Sequence, residues 1–504
     1  MNRLLRRSLL GFALAFVLFC VLAPVPGRAQ DGPPPAGDGP GLEAPAEPAG
    51  RVSLAALKDE NADLGSTFAQ RLQSVFGMAV LIGVCVLFSK DRKHISWRLV
   101  FWGLALQIVL GAFVMKTSAG RELFRILNDL VMALLGSTTE GAKFVFGKLA
   151  EQGNMPVGKG GPFGPVSDTG MVAEIGSYFA FGVLPTIIFF SSLMAVLYHL
   201  GVMQLLVRGV AWVMQRTMGT SGSETLSAAG NIFVGQTEAP LLVRPFVPGM
   251  TESELMAVMT GGFATVAGGV MAAYVGLLSN MFAGIAGHLI SASVMSAPAA
   301  LVCAKLLIPE PVPEKSETYG ELKLELKSTD ANLIDAAARG AGDGLKLALN
   351  VGAMVLAFVA LIAMANKGLG WAGEHVFGTE GLTLQLILGK LLAPVAWLLG
   401  VPWEDCGLVG RLIGIKTVVN EFVAYIDLST MLGPEGGLKN PRSVVIATYA
   451  LCGFANFGSI AIQIGGIGGI APERRGDLAK LGLRAMIAGT IAAFLTATVA
   501  GLMV

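Results

Sequence analysis

Charge is what this sequence has little of. Only 14% of its 504 residues are Asp, Glu, Lys or Arg, against roughly 25% in soluble globular proteins. Hydrophobic residues make up 53%, and mean hydropathy is +0.66. That balance excludes a soluble enzyme, and it equally excludes an intrinsically disordered chain. The few charges nearly cancel, 36 basic against 35 acidic, a net charge of +1. No excess of either sign points to nucleic acid as a partner. Cysteine is scarce too: Cys20, Cys85, Cys303, Cys406 and Cys452 form no CxxC pair and mostly lie in apolar runs. A disulfide framework and a zinc site are therefore not expected. The four histidines are scattered, with no HExxH. Gly153 to Lys159 has GxxxxGK spacing but carries Pro156 and lacks the following Ser/Thr, so it reads as a loop. Gly466 to Ala471 loosely fits GxGxxA without a preceding strand and reads as close helix packing. No GxSxG elbow or nucleophile–base pair is evident.

What the sequence has is long apolar blocks and 66 glycines. Glycine lets membrane helices approach closely and tolerates broken backbone. Stretches long enough to span a bilayer as helices lie near 70–89, 97–116, 171–199, 253–279, 284–308, 344–366, 443–470 and 480–503. Residues 121–150 and 201–218 mix charges with apolar residues at helical spacing and read as interfacial helices. Residues 380–400 fit either an interfacial helix or a short span.

The ends read differently. Residues 1–30 look like a secretory leader: Arg3, Arg6 and Arg7, an apolar run from Leu9 to Leu22, and Gly27-Arg28-Ala29 as a cleavage site. An uncleaved signal anchor is the alternative. Residues 31–66 begin rich in Pro, Gly and Ala and read as a disordered linker. The basic loop Lys90 to His94 belongs on the cytoplasmic side by the positive-inside rule. Counting spans alternately, the loop 310–343 and Glu473-Arg474-Arg475 are also cytoplasmic, and both termini lie outside.

The polar interruptions carry the functional signal. Residues 229–246 place Asn231, Gln236, Thr237 and Glu238 between apolar flanks too short to span, with Gly235 and Pro240 stopping a continuous helix. That is the pattern of a re-entrant hairpin. Residues 408–432 repeat it around Lys416, Thr417, Asn420 and Glu421. Each island is followed by a glycine-broken span: Gly261 to Gly269, then Cys452 to Ser459. Gly262-Phe263-Ala264-Thr265 matches Gly453-Phe454-Ala455-Asn456, with Thr265 opposite Asn456. The first hairpin enters from inside and the second from outside, so the chain contains an inverted repeat. Paired interrupted segments mark a transporter's binding site. Ionisable residues at membrane depth are costly and functional by default.

Gly235-Gln-Thr-Glu-Ala-Pro240, Asn420-Glu-Phe-Val-Ala-Tyr425 and Cys452-Gly-Phe-Ala-Asn456 closely resemble the concentrative nucleoside transporter family, the sodium/nucleoside symporters. The resemblance runs from about residue 70 to the C-terminus. It implies an all-α polytopic membrane protein: about eight transmembrane helices, two re-entrant hairpins in an inverted repeat, and interfacial helices. It further implies a homotrimer in the inner (plasma) membrane that imports nucleosides with sodium as coupling ion and no other cofactor.

By the same resemblance, a scaffold comes mostly from 67–219 and from 344–407. A mobile transport domain comes from 220–309 and 408–504, with 310–343 as a cytoplasmic loop. Gln236, Thr237 and Glu238 would meet the nucleobase, with Val270 packed against it. Glu421, Asn456 and Ser459 would hold the ribose, with Phe454 nearby. Asn231 and Thr265 side chains and the Val234 and Val266 carbonyls would hold sodium. The chemistry agrees: a carboxylate accepts from sugar hydroxyls, amides match a base edge, and sodium, a hard cation, takes oxygen ligands. This residue set includes no Arg or Lys, so nucleotides should be poor substrates. Phe457-Gly458 departs from the expected smaller residues before Ser459. Two readings compete: proton coupling through Glu238 or Glu421, and an intramembrane enzyme using both as acid and base. The inverted repeat speaks against the enzyme, because hydrolysis does not require it.

Overall fold

The computed structural model describes Leu57 and residues 66–150, 153–156, 172–175, 179–310, 330–378, 380–433 and 437–504. The leader, nearly all of the linker and the middle of the 310–343 loop lie outside the described residues. The described residues are built of helices, with one short strand pair among them, β1 (Gly153–Pro156) antiparallel to β2 (Val172–Ile175).

Helices α1 (Phe68–Leu87) and α2 (Trp97–Lys116) are the first two spans. Thr67 and Gln70 form a capping box that starts α1. The basic loop between them turns on Asp91, which accepts from Lys93 N and lies 2.6 Å from the His94 ring. That ring holds the Asp91 carboxyl below its usual range. Helix α3 (Ser118–Phe146) follows, then a third span over Phe179–His199, whose main helix is α4 (Leu184–His199). Helix α5 (Val202–Met218) is bounded by Gly201 and Gly219, both at positive φ.

The first hairpin is α6 (Gly222–Gly230), a turn over 231–238, and a 3-10 segment over Ala239–Phe246. The fourth span is broken into α7 (Glu252–Ala264) and α8 (Gly268–Leu278). Helix α9 (Ile285–Leu307) is the fifth span and α10 (Leu333–Ala372) the sixth. The loop after α9 is shorter than expected, because α10 begins at Leu333, not near 344. Asn332 caps it, accepting from Asp335 N, and Arg339 reaches back to Asp330, so polar residues make a helical turn and not a loop.

Helix α11 (Leu384–Leu398) meets α12 (Trp403–Val418) at a 115° bend. The ambiguous segment 380–400 is therefore half of a bent pair. Gly389 lies under Gly407 O, and Gly410 under Gly389 O, so the two backbones touch. Helix α12 then pairs with α13 (Glu421–Leu432) as the second hairpin. The seventh span is broken into α14 (Pro441–Leu451) and α15 (Phe457–Ile470), and α16 (Arg475–Met503) closes the chain.

The core lies around α7, α9 and α16. In each, 89% of the most apolar stretch is buried, against 11% for α10, whose Leu349, Leu356 and Met364 are exposed. The loops sort to two ends. At one, Lys90 pairs with Glu252 at 2.5 Å, Lys305 with Glu224, Thr251 Oγ1 donates to Glu310 at 2.6 Å, and Arg474 donates to Met250 O at 2.6 Å. At the other, buried Arg442 donates to Ser66 Oγ, Gln70 O, Ser74 Oγ, Gly400 O and Val504 O. The first hairpin springs from the first end and the second hairpin from the other.

Candidate functional site

The two hairpin tips and the two helix breaks converge. The breaks are not equivalent, which corrects the sequence match. Gly262-Phe263-Ala264 is still helical in α7, and the chain unwinds at 265–267. Gly453 to Asn456 is itself unwound, between the end of α14 at Leu451 and the start of α15. The breaks cross at Gly453, which sits at φ 126. A Cβ there would lie 2.8 Å from Phe263 O, so only glycine fits both the conformation and the approach.

On the second-repeat side, Glu421 is buried at the start of α13. Its Oε1 accepts from Tyr274 Oη at 2.9 Å, and its Oε2 from Asn456 Nδ2 at 3.0 Å. Asn456 is fixed in turn because its Oδ1 caps α15, accepting from Ser459 N at 2.9 Å. Asn420 caps α13 the same way through Val423 N. Each carboxylate oxygen thus has one protein donor and a lone pair to spare for a ligand hydroxyl. Tyr274 stacks on Tyr425 at 4.3 Å and meets Phe422 edge-on, so α8 of the first repeat clasps the second hairpin.

The first hairpin reaches the same centre. Gln236 Nε2 donates to Ser459 Oγ at 3.2 Å. Thr237 packs near the Gly466 backbone. Glu238 is exposed at the tip, Phe454 is half-buried and Val270 is buried. Phe457 is 52% exposed, so its bulk points away from Ser459, which is buried.

Asn231 and Thr265 both adjoin Gly261, and Val234 and Val266 lie on the two segments that the next bond joins. Gly268 N donates to Phe233 O at 3.1 Å, closing the hairpin tip on the helix break. Thr265 Oγ1 donates to Gly261 O at 2.9 Å, and Gly261 leaves room for Asn231 Nδ2. Asn231 Nδ2 donates to Ser227 O at 3.0 Å. Its Oδ1 is buried with no hydrogen-bond partner among the described residues. An orphaned buried amide oxygen, beside a hydroxyl and unwound carbonyls, suits a hard cation such as sodium.

Sequence reasoning missed two residues and gave a third no role. Tyr274 and Gln463 lie in apolar helices and have no motif around them; only the fold brings them to Glu421 and Gln236. Lys416 stood in the second island, yet the resembled site has no lysine. The structure buries it fully, with Nζ donating to Ala450 O at 2.8 Å. The amine is engaged by backbone. The described cysteines Cys85, Cys303, Cys406 and Cys452 are free and buried.

Two broken spans and two opposed hairpins meeting at one polar centre define a secondary transporter of the membrane. Three family models match in chain order: Na+ dependent nucleoside transporter N-terminus over residues 76–149, Nucleoside recognition over 180–281, and Na+ dependent nucleoside transporter C-terminus over 288–501. The sodium/nucleoside cotransporter 1 of Rattus norvegicus is 44% identical over 446 residues, covering 86% of this chain and 64% of that protein. This chain therefore spans about two thirds of the mammalian relative's length. An uncharacterized transporter of Haemophilus influenzae is 44% identical over 437 residues, covering 86% of this chain and 98% of its own. The solved structure of CNTnw in an inward-facing substrate-bound state superposes with a TM-score of 0.74 at 44% identity, covering 86% of this chain and 97% of that one. The chain belongs to the Na+ dependent nucleoside transporter family.

Proposed function

We propose that this protein imports nucleosides across the inner membrane by symport with sodium. The observation that carries the reading is the double-held Glu421 carboxylate facing the Gln236–Ser459 pair across the crossed helix breaks. The carboxylate suits vicinal ribose hydroxyls, whose charge-assisted bonds are the strong ones. Gln236, Thr237 and Glu238 take the base, with Val270 packed against it. Glu421, Asn456 and Ser459 take the ribose, beside Phe454. Sodium is held by Asn231 and Thr265 side chains and the Val234 and Val266 carbonyls, supported by the orphaned Asn231 Oδ1. These residues bind and orient; the ion supplies the driving force.

The proposal extends to a homotrimer in which a transport domain carrying both hairpins moves past a scaffold. The loops at Lys90, Lys305 and Arg474 gather at one end, and the positive-inside rule makes that end cytoplasmic. Both termini are then periplasmic. Radiolabelled uridine uptake into proteoliposomes, with and without a sodium gradient, tests the function. Uptake that follows an imposed pH gradient and ignores sodium would transfer the coupling to protons. Impermeant labelling of a cysteine placed at Arg92 from outside intact cells would overturn the orientation.

A further inference from the structure

Gln463 belongs to none of the motifs above, yet it is fully buried between the two repeats. It lies one helical turn after Ser459 on α15, so both project from the same face. The Gln236 side chain sits between them. Its Nε2 donates to Ser459 Oγ at 3.2 Å, and its Oε1 accepts from Gln463 Nε2 at 3.1 Å.

The polarity of this chain of bonds is fixed from its far end. Gln463 Nε2 also donates to Met259 O at 3.1 Å. A backbone carbonyl can only accept. The Gln463 atom facing Met259 must therefore be nitrogen, and the Gln236 atom facing that nitrogen must be oxygen. The Gln236 nitrogen is then turned to Ser459, whose hydroxyl would accept or donate equally well. The arrangement holds although it leaves Gln463 Oε1 buried with no partner among the described residues. Gly262 makes it possible: a Cβ there would lie 2.8 Å from Gln463 Nε2 and 2.9 Å from Gln236 Cβ.

We propose that Gln463 is a positioning residue that sets the donor–acceptor order of the Gln236 amide, and through it which pyrimidine edge the site accepts. This rests on the reading that Gln236 meets the nucleobase. Fixed at both ends, Gln236 still has one N–H and one carbonyl lone pair to offer, always in the same order. Uracil presents an O4 acceptor beside an N3–H donor. Cytosine presents an N4–H donor beside an N3 acceptor, the reverse order. A fixed amide complements one of these orders and opposes the other.

The test uses the full-length protein in proteoliposomes, with uptake KM and maximal rate measured for uridine and cytidine. In Gln463→Glu, the O–H oxygen of the neutral acid takes the place of Nε2; its one proton goes to Met259 O, so toward Gln236 that oxygen can only accept. The Gln236 amide turns over, and Ser459 donates to its oxygen. The uridine-to-cytidine KM ratio should shift about tenfold toward the nucleoside the wild type disfavours, the size of effect one exchanged hydrogen-bond pair carries. In Gln463→Met the donor is gone, both orders are open, and the ratio should move toward one. A purely structural role would change maximal rate or weaken both nucleosides alike. A Gln236→Leu control separates the two ideas. If that control shifts the ratio while neither Gln463 variant does, the relay is wrong and the base assignment stands. If Gln236→Leu also leaves the ratio unchanged, the base assignment falls and the relay with it. A wild type that does not discriminate between the two nucleosides overturns the relay as well.

Discussion

The two repeats share a plan, and their tips differ in what they leave unsatisfied. In the second, Asn420 and Asn456 both cap helices, and Asn456 also donates to Glu421. Both Glu421 oxygens there have a protein donor and keep a lone pair free. In the first, Asn231 Oδ1 has no hydrogen-bond partner among the described residues, beside Thr265 and a short unwound stretch. One tip therefore offers spare carboxylate lone pairs and the other an unpaired amide oxygen, the contrast on which the proposed ribose and sodium assignments rest. The asymmetry begins in the breaks. The first unwinds over 265–267, while the second unwinds over 452–456, where Gly453 crosses against Phe263 O.

The hairpin bases differ as well. The first is tied by a buried ion pair: Lys305 to Glu224, with Lys305 Nζ also donating to Ser253 Oγ at 2.8 Å. The second is tied by Arg442 donating to hydroxyl and main-chain oxygens, and by Asp405 accepting from Lys439 N, Asn440 N and Ser443 Oγ. The largest effect should come from breaking the charged tie. Lys305→Met leaves a buried carboxylate unpaired, a loss of about 3–5 kcal/mol. Arg442→Met strands hydroxyl and main-chain acceptors and no side-chain carboxylate, and should cost less, about 1–3 kcal/mol. Thermal melting of both variants in detergent checks the order; equal losses would show that the two bases are energetically alike.

At the tips, Glu421→Gln should weaken nucleoside binding by about tenfold or more, since a charge-assisted bond carries about 1.5–3 kcal/mol. A 2′-deoxynucleoside has one hydroxyl fewer and should lose less. Titration of uridine and deoxyuridine decides this; equal losses would remove the ribose role from Glu421. Thr265→Ala deletes one oxygen from the first-repeat pocket. The sodium concentration for half-maximal uptake should rise about fivefold, the scale of a bond worth about 1 kcal/mol. An unchanged sodium dependence would place the ion elsewhere. The smallest effect is expected for Glu238→Gln, because Glu238 is exposed at its tip. Base selectivity should move while the ribose-to-deoxyribose ratio holds. A shift in that ratio instead would put Glu238 on the sugar.

The membrane class, the spans and the two islands were determined by the sequence itself. Apolar length follows from bilayer thickness, and a carboxylate such as Glu421 stands out because ionisable groups at that depth are rare. The family residues were legible for the same reason: Gln236-Thr237-Glu238 and Asn420-Glu421 are contiguous polar runs in apolar surroundings. The matched Gly-Phe-Ala triplets were legible too, but not their conformations. Whether such a triplet stays helical or unwinds depends on what crosses it, here α7 against the second break. The start of α10 at Leu333 was decided by the contact of Arg339 with Asp330, which a hydropathy window does not register. Tyr274, Gln463 and Lys416 became site neighbours only through tertiary packing. Each finds its partner far off in sequence: Glu421 for Tyr274, Gln236 and Met259 O for Gln463, and Ala450 O for Lys416. Local composition fixes which residues cannot face lipid unaided; only the packed fold fixes which acceptor or donor each one finds.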